Sequence, residues 1–153
     1  MSVNPGIRIR DYQKSDFSAV QSLWEETGMG GKERGDTPEI IEQCLVMGGK
    51  FLVMEDAKED TIIGTSWMTF DGRRIFLHHF GIKPEYQGQG YGKQLAAASL
   101  KFIKRKGYQV KLEVHKENHK AKMLYEHAGF FAFTDYDIYM IRDTEGIRID
   151  KLF

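Results

Sequence analysis

Apolar and charged residues alternate at Ile7-Arg8-Ile9-Arg10, the two-residue period of a half-exposed first strand. The period then lengthens. Phe17, Val20, Leu23 and Trp24 fall on one face of a helix that Ser15 or Asp16 can cap. Residues 28–35 break all periodicity with four glycines and are expected to form a mobile loop. Thr37-Pro38-Glu39 restarts a helix, with a hydroxyl cap, proline at the first helical position and acid in the first turn. Ile40, Ile41, Cys44 and Leu45 form its apolar face, and Gly48-Gly49 stops it. Residues 51–54 and 61–70 read as consecutive strands joined through a polar 56–60 segment. Asp71-Gly72 is a two-residue hairpin signal leading into Ile75-Phe76-Leu77-His78-His79-Phe80-Gly81-Ile82, a run with the length and aromatic content of a buried strand.

The second half repeats the strand-and-helix rhythm. Tyr91, Leu95, Ala98 and Phe102 recur at helical spacing and Gly107 is placed to end that helix. Residues 110–114 alternate again, and because a helix separates them from the 75–82 strand the two should be parallel neighbours with a right-handed crossover. Asn118 caps a last helix with the stripe Ala121, Leu124, Tyr125 and Ala128, closed by Gly129. Residues 130–134 and 138–141 are expected to make a final hairpin around Asp135-Tyr136-Asp137.

Between the 75–82 strand and the 91–106 helix lies Pro84-Glu85-Tyr86-Gln87-Gly88-Gln89-Gly90-Tyr91-Gly92-Lys93. A strand, a glycine-rich turn and a helix in that order make an anion site, because backbone N–H groups converge there and the helix N-terminus adds partial positive charge. Spacing separates the ligand classes. A nucleoside-triphosphate loop fails at both ends, with Gln87 five before Gly92 and Gln94 after Lys93, and a dinucleotide fingerprint starting at Gly88 meets Lys93 at its third glycine. The same kind of turn also occurs where nothing is bound.

What remains is Gln-x-x-Gly-x-Gly on Gln87, Gly90 and Gly92, which resembles the pyrophosphate loop of the Gcn5-related N-acetyltransferases, the GNAT superfamily. Asn118-x-x-Ala121-x-x-Leu124-Tyr125-x-x-x-Gly129-Phe130 resembles the closing motif of the same superfamily, in the right order and after a strand of the right kind. The resemblance implies one α/β (α+β) domain over 1–153, with a mixed, mostly antiparallel sheet of six to seven strands, about four helices and two central parallel strands that splay apart. It implies acetyl-CoA as acyl donor, held by Phe80, Gly81, Ile82, Gln87, Gly88, Gln89, Gly90, Tyr91, Gly92, Lys93 and Asn118. Gly81 suits a β-bulge that would free main-chain groups of Phe80 and Ile82, and in the family the residue at the Phe80 position offers its N–H to the thioester carbonyl.

The chemistry is attack of an amine on a thioester, which needs a proton acceptor for the amine and a donor for the thiolate. Tyr125 occupies the family's general-acid position, and it also serves as the wide end of a core stripe. The usual glutamate four residues before Phe80 is replaced by Phe76. His78, expected to share a strand face with Phe76 and Phe80, is then the candidate base, with His79 facing the other way as a packing residue. Ordered water is the alternative base, and a CoA-binding module without catalysis is the alternative function. Residues 28–38, 71–74 and 135–137 are expected to face the acceptor, a primary amine on a small molecule or peptide.

Charge narrows the partners. Twenty-two lysines and arginines balance 22 aspartates and glutamates, so nothing argues for nucleic acid or an anionic membrane. The single Cys44 cannot form an internal disulfide and reads as a packed thiol, and the first six residues resemble no signal peptide. The cytoplasm is the expected compartment, and a homodimer stays open. His115 and His119 lie four apart across a strand-to-helix junction, outside any His-Glu-x-x-His pattern, so no metal is expected.

Overall fold

The computed structural model describes residues 4–30 and 34–153, so residues 1–3 and residues 31–33 of the expected loop lie outside it. Strands β1 (Ile7–Asp11), β2 (Lys50–Asp56), β3 (Thr61–Phe70), β4 (Ile75–Ile82) and β5 (Val110–Leu112) form one sheet in chain order. The first four are antiparallel, and β5 joins β4 in parallel after the crossover helix α3 (Tyr91–Lys106). Helices α1 (Phe17–Thr27), α2 (Pro38–Val46) and α4 (His119–His127) complete the set.

The alternation of β2 and β3 divides the core into two layers, since neighbouring residues point to opposite faces. Met54, Ile63 and Met68 belong with Ile75, Leu77 and the α3 residues Leu95 and Ile103. Val53, Ile62 and Trp67 belong with Val20, Leu23 and Trp24 of α1 and Ile41 of α2. The stripe expected on α3 rotates by one position past Leu95, burying Ser99 and Ile103 while Ala98 and Phe102 are only partly covered. Ser99 tolerates burial because its hydroxyl bonds Ser66 Oγ at 2.7 Å and Leu95 O at 2.8 Å.

Thr37 caps α2 through Ile40 N–H at 3.2 Å, and Asn118 caps α4 through Ala121 N–H at 3.2 Å. The start of α1 differs from expectation. Neither Ser15 nor Asp16 caps it; instead Asp16 accepts the Gln13 N–H at 2.7 Å and pairs with the Arg10 guanidinium at 2.8 and 2.9 Å. That guanidinium holds the Asp16 carboxyl below its usual range. The β3–β4 connection spans four residues, with Asp71 Oδ1 accepting from the N–H groups of Arg73 and Arg74 at 2.8 and 2.6 Å.

Two expectations fail by length. Among the described residues the sheet has five strands, not six to seven, and β5 ends at Leu112. The hairpin expected over 130–134 and 138–141 carries no strand, and Phe131, Phe133, Ile138, Tyr139, Met140 and Ile141 are exposed. Local β-propensity does not suffice there, because a lone hairpin is marginal without a sheet or helix to bury one face.

Gly49 lies where α2 turns into β2, and a Cβ there would sit 2.6 Å from Met68 O and 2.9 Å from Cys44 O. Both obstacles are backbone. Gly49→Ala is expected to cost about 3 kcal/mol, a fall of roughly 6–12 °C in Tm, checked by thermal unfolding.

Candidate active site

The turn after β4 is anchored from both sides. Tyr86 donates its hydroxyl to Asp56 Oδ2 at 2.8 Å, and Gln87 donates its side-chain amide to the Ile82 carbonyl at 2.8 Å. Gly88 and Gly90 then take φ values of 78° and 88°, the left-handed region that favours glycine. Gln87 N–H bonds Pro84 O at 3.2 Å, and the first helical bond of α3 is Gln94 N–H to Gly90 O at 3.2 Å. The N–H groups of Tyr91, Gly92 and Lys93 therefore lie in a first turn that has no intrahelical acceptors, at the positive end of a 16-residue helix. Tyr91 is buried, while the Lys93 ammonium is exposed beside that end. Gln89 is exposed and donates weakly to Glu85 O at 3.4 Å.

Next to this cradle the sheet opens. β4 and β5 pair only at Ile75–Val110, Phe76–Lys111 and Leu77–Leu112. Beyond Leu77, β4 runs on to Ile82 along β3 alone, so among the described residues its other edge faces no strand. An apolar hollow lined by Leu77, Phe80, Leu100, Ile103, Tyr125 and Phe130 lies between β4, α3 and α4. The Tyr125 ring stands edge-on to Phe80 at 6.0 Å and to Phe130 at 5.7 Å. Burial pushes its hydroxyl up to about 12, so it keeps its proton throughout the neutral range.

The bulge in β4 sits one step earlier than Gly81. Thr65 pairs with Gly81 and Trp67 with His78, which leaves His79 and Phe80 together opposite Ser66. His79 absorbs the extra residue with φ 44°, and its carbonyl accepts the Thr65 hydroxyl at 2.7 Å. Gly81 lies under Met29, and a Cβ there would come within 2.7 Å of Met29 Cε, a flexible side-chain end that would have to shift.

The bulge also reverses which residues share a face. Phe76 and His78 stack at 4.2 Å on the Trp67 side, but Phe80 turns to the other layer against Tyr125. His79, expected to point away from His78, lies on the same side, 4.4 Å edge-on to Trp24 and 5.5 Å from Trp67. Its Nε2 is 2.6 Å from Asp36 Oδ2, across 43 residues of sequence. Sequence reasoning missed this pair because strict alternation sends His79 to the wrong face and nothing local joins it to the 28–38 segment. His78 is differently placed, with Nε2 2.9 Å from Thr69 Oγ1. Burial and the neighbouring His79 hold it down at about 4.

Asn118 is spent on the cap that starts α4, and Arg73 and Arg74 form the outer β3–β4 turn. Asp135 and Asp137 are exposed. Among the described residues no three His, Cys, Asp or Glu side chains gather as a metal site would need, and no helix is long and apolar enough to cross a membrane.

An opened parallel strand pair beside a glycine-built helix N-terminus marks a known class of fold. A model of the acetyltransferase (GNAT) family matches residues 17–130, and the chain belongs to that family. It is similar in fold to an acetyltransferase of Streptococcus agalactiae, with TM-score 0.77 at 18% identity over 90% of this chain and 92% of that one. The PaiA N-acetyltransferase of Thermoplasma acidophilum, solved in complex with coenzyme A, matches with TM-score 0.70 at 24% identity over 90% and 94% of the two chains. AAC(6')-Iy, solved with the bisubstrate analogue CoA-S-monomethyl-acetylneamine, matches with TM-score 0.68 at 17% identity over 90% and 99%.

Proposed function

We propose that the protein is an N-acetyltransferase that moves the acetyl group of acetyl-CoA directly to a primary amine on a small molecule or peptide, with both bound at once. The observation that carries this reading is the junction of the Gly88–Gly90 turn, whose two glycines are left-handed, with a β4 edge that loses its parallel partner beyond Leu77. First-turn N–H groups without acceptors suit a diphosphate, and an open strand edge suits the amide-bearing arm that follows it. Acetyl-CoA, when bound, supplies the thioester.

The chain's residues would then divide the work. Gln87, Gly88, Gln89, Gly90, Tyr91, Gly92 and Lys93 form the phosphate cradle, and Phe80, Gly81 and Ile82 supply the strand edge. The Phe80 N–H is the donor for the thioester carbonyl oxygen, where negative charge grows during attack. Tyr125 holds a proton at its hydroxyl for the departing sulfur, and Asn118 fixes the start of the helix that carries it. His78, the base expected from the sequence, lies in the acceptor layer, but burial holds it down at about 4 and Thr69 engages its Nε2, which makes it a poor proton acceptor. The bisubstrate complex of AAC(6')-Iy supports the idea that donor and acceptor meet in one site of this fold. A cytoplasmic location and a homodimer are consistent with this reading.

The absence of a carboxylate at Phe76 favours a second reading, a CoA-binding module without turnover. Thiol release from acetyl-CoA, assayed across a panel of amines and peptides beside calorimetry with CoA, separates the two. At least one amine should give turnover. Binding without turnover would establish the module, and no heat with no thermal shift would refute both.

A further inference from the structure

We infer that His79, held by Asp36, is the side chain that takes the proton from the acceptor amine, an inference that rests on the N-acetyltransferase reading above. A histidine in the left-handed region is uncommon, and such a conformation persists where the surroundings fix it. Here they fix it on three sides. Thr65 bonds its carbonyl, Trp24 abuts its ring, and Asp36 holds Nε2 at 2.6 Å. Trp24 is itself pinned, donating Nε1–H to Thr65 Oγ1 at 3.0 Å.

The orientation suits proton transfer. A carboxylate on Nε2 keeps the hydrogen on that nitrogen, which leaves the Nδ1 lone pair as the basic site. Among the described residues Nδ1 of His79 has no hydrogen-bond partner. His78 contrasts in each respect, with its ring stacked on Phe76 and its Nε2 engaged by Thr69. His79 immediately precedes Phe80, whose N–H is the proposed oxyanion donor. Base and oxyanion donor thus come from consecutive residues. Asp36 and Met29, both between α1 and α2, meet β4 at His79 and Gly81, on either side of Phe80.

Protons and bonds balance with these groups. The R–NH3+ nitrogen gives one proton to His79 Nδ1, which passes it to solvent, and the freed lone pair forms the C–N bond. The C–S bond breaks, and sulfur takes the Tyr125 hydroxyl proton. The second nitrogen proton leaves through the same imidazole to solvent, and Tyr125 regains a proton from solvent, so one proton is released per acetyl transferred. Among the described residues the charged or titratable groups shown against His79 are Asp36 and His78 from its own strand, and Asp36 in turn, after burial, pushes up the Cys44 thiol of α2. Among the described residues its ring contacts and hydrogen bonds to α1 and β3 are with Trp24, Trp67 and Thr65.

The test is a pH profile of kcat/KM with acetyl-CoA and the best amine of the panel, on the whole chain. His79→Asn, a residue that tolerates positive φ, should lower kcat by roughly 10²-fold or more. It should abolish the acid limb and leave CoA affinity unchanged, with a fall in Tm from the lost Asp36 bond and ring packing. The acid limb should survive in His78→Asn. Asp36→Asn should move the proton between ring nitrogens, read by 15N shifts of the His79 imidazole, and lower kcat about tenfold. If His79→Asn fails to fold, Asp36→Asn decides: an unchanged tautomer or an unchanged rate overturns the pair. Turnover of His79→Asn within threefold of the unaltered chain also overturns it, as does loss of the acid limb in His78→Asn. No thiol release with any amine of the panel, by the unaltered chain, sinks the acetyltransferase reading first and the pair with it.

Discussion

Tyr125→Phe is expected to lower kcat by roughly 10²–10⁴-fold with little change in the affinity for CoA, measured by steady-state thiol release and by calorimetry. The ring is what fills the hollow beside Phe80 and Phe130, and phenylalanine keeps that ring. Only the hydroxyl proton is removed, so the loss should fall on a step that needs a donor. Equal losses of kcat and affinity would instead make the residue structural. The same substitution has a signature in stability. With its hydroxyl raised to about 12 in the fold, against about 10 in an unfolded chain, Tyr125 contributes stability that is whole below about pH 10. That contribution is lost as the pH rises through the folded value. Tyr125→Phe should flatten this alkaline decline in thermal scans.

Gly90→Val is expected to weaken CoA binding by about 10²-fold, since each strained backbone residue costs of order 1–3 kcal/mol and about 1.4 kcal/mol is a factor of ten. A valine at φ 88° must move the chain, and moving it swings the amides of Tyr91 to Lys93 away from their common focus. Gly92→Ala supplies the comparison. Gly92 is not left-handed, and its added Cβ would find Leu124 and Ile82 at 3.9 and 4.0 Å, which is ordinary contact. It should keep its Tm. Calorimetry with CoA on both variants checks the pair, and full affinity in Gly90→Val would remove the phosphate cradle from that turn.

Most of the scaffold could be read from periodicity because the physics behind it is local. Thr37 and Asn118 cap the helices they precede through their own side chains, and β3 and β4 keep the bounds their apolar runs announce. The glycine turn was legible for the same reason, as Gly88 and Gly90 take a conformation few other residues adopt. Non-local facts were hidden. The start of α1 is secured by Arg10 reaching Asp16, which no cap rule foresees. The 130–141 segment has strand-like composition but pairs with no strand, and composition cannot report pairing. His79 and Asp36 meet only because a bulge and a loop cooperate across the fold.

The surplus residue at His79 makes β4 two half-strands that are out of phase. In the first half, even positions such as 76 and 78 look toward the tryptophans; after the slip, Phe80 looks toward α3 and α4. Removing one residue would bring the halves back into step and swing Phe80 across the sheet. The strand can therefore vary in spelling at 76 and 78, where an amine would be met, while its letter count stays fixed by the thioester side.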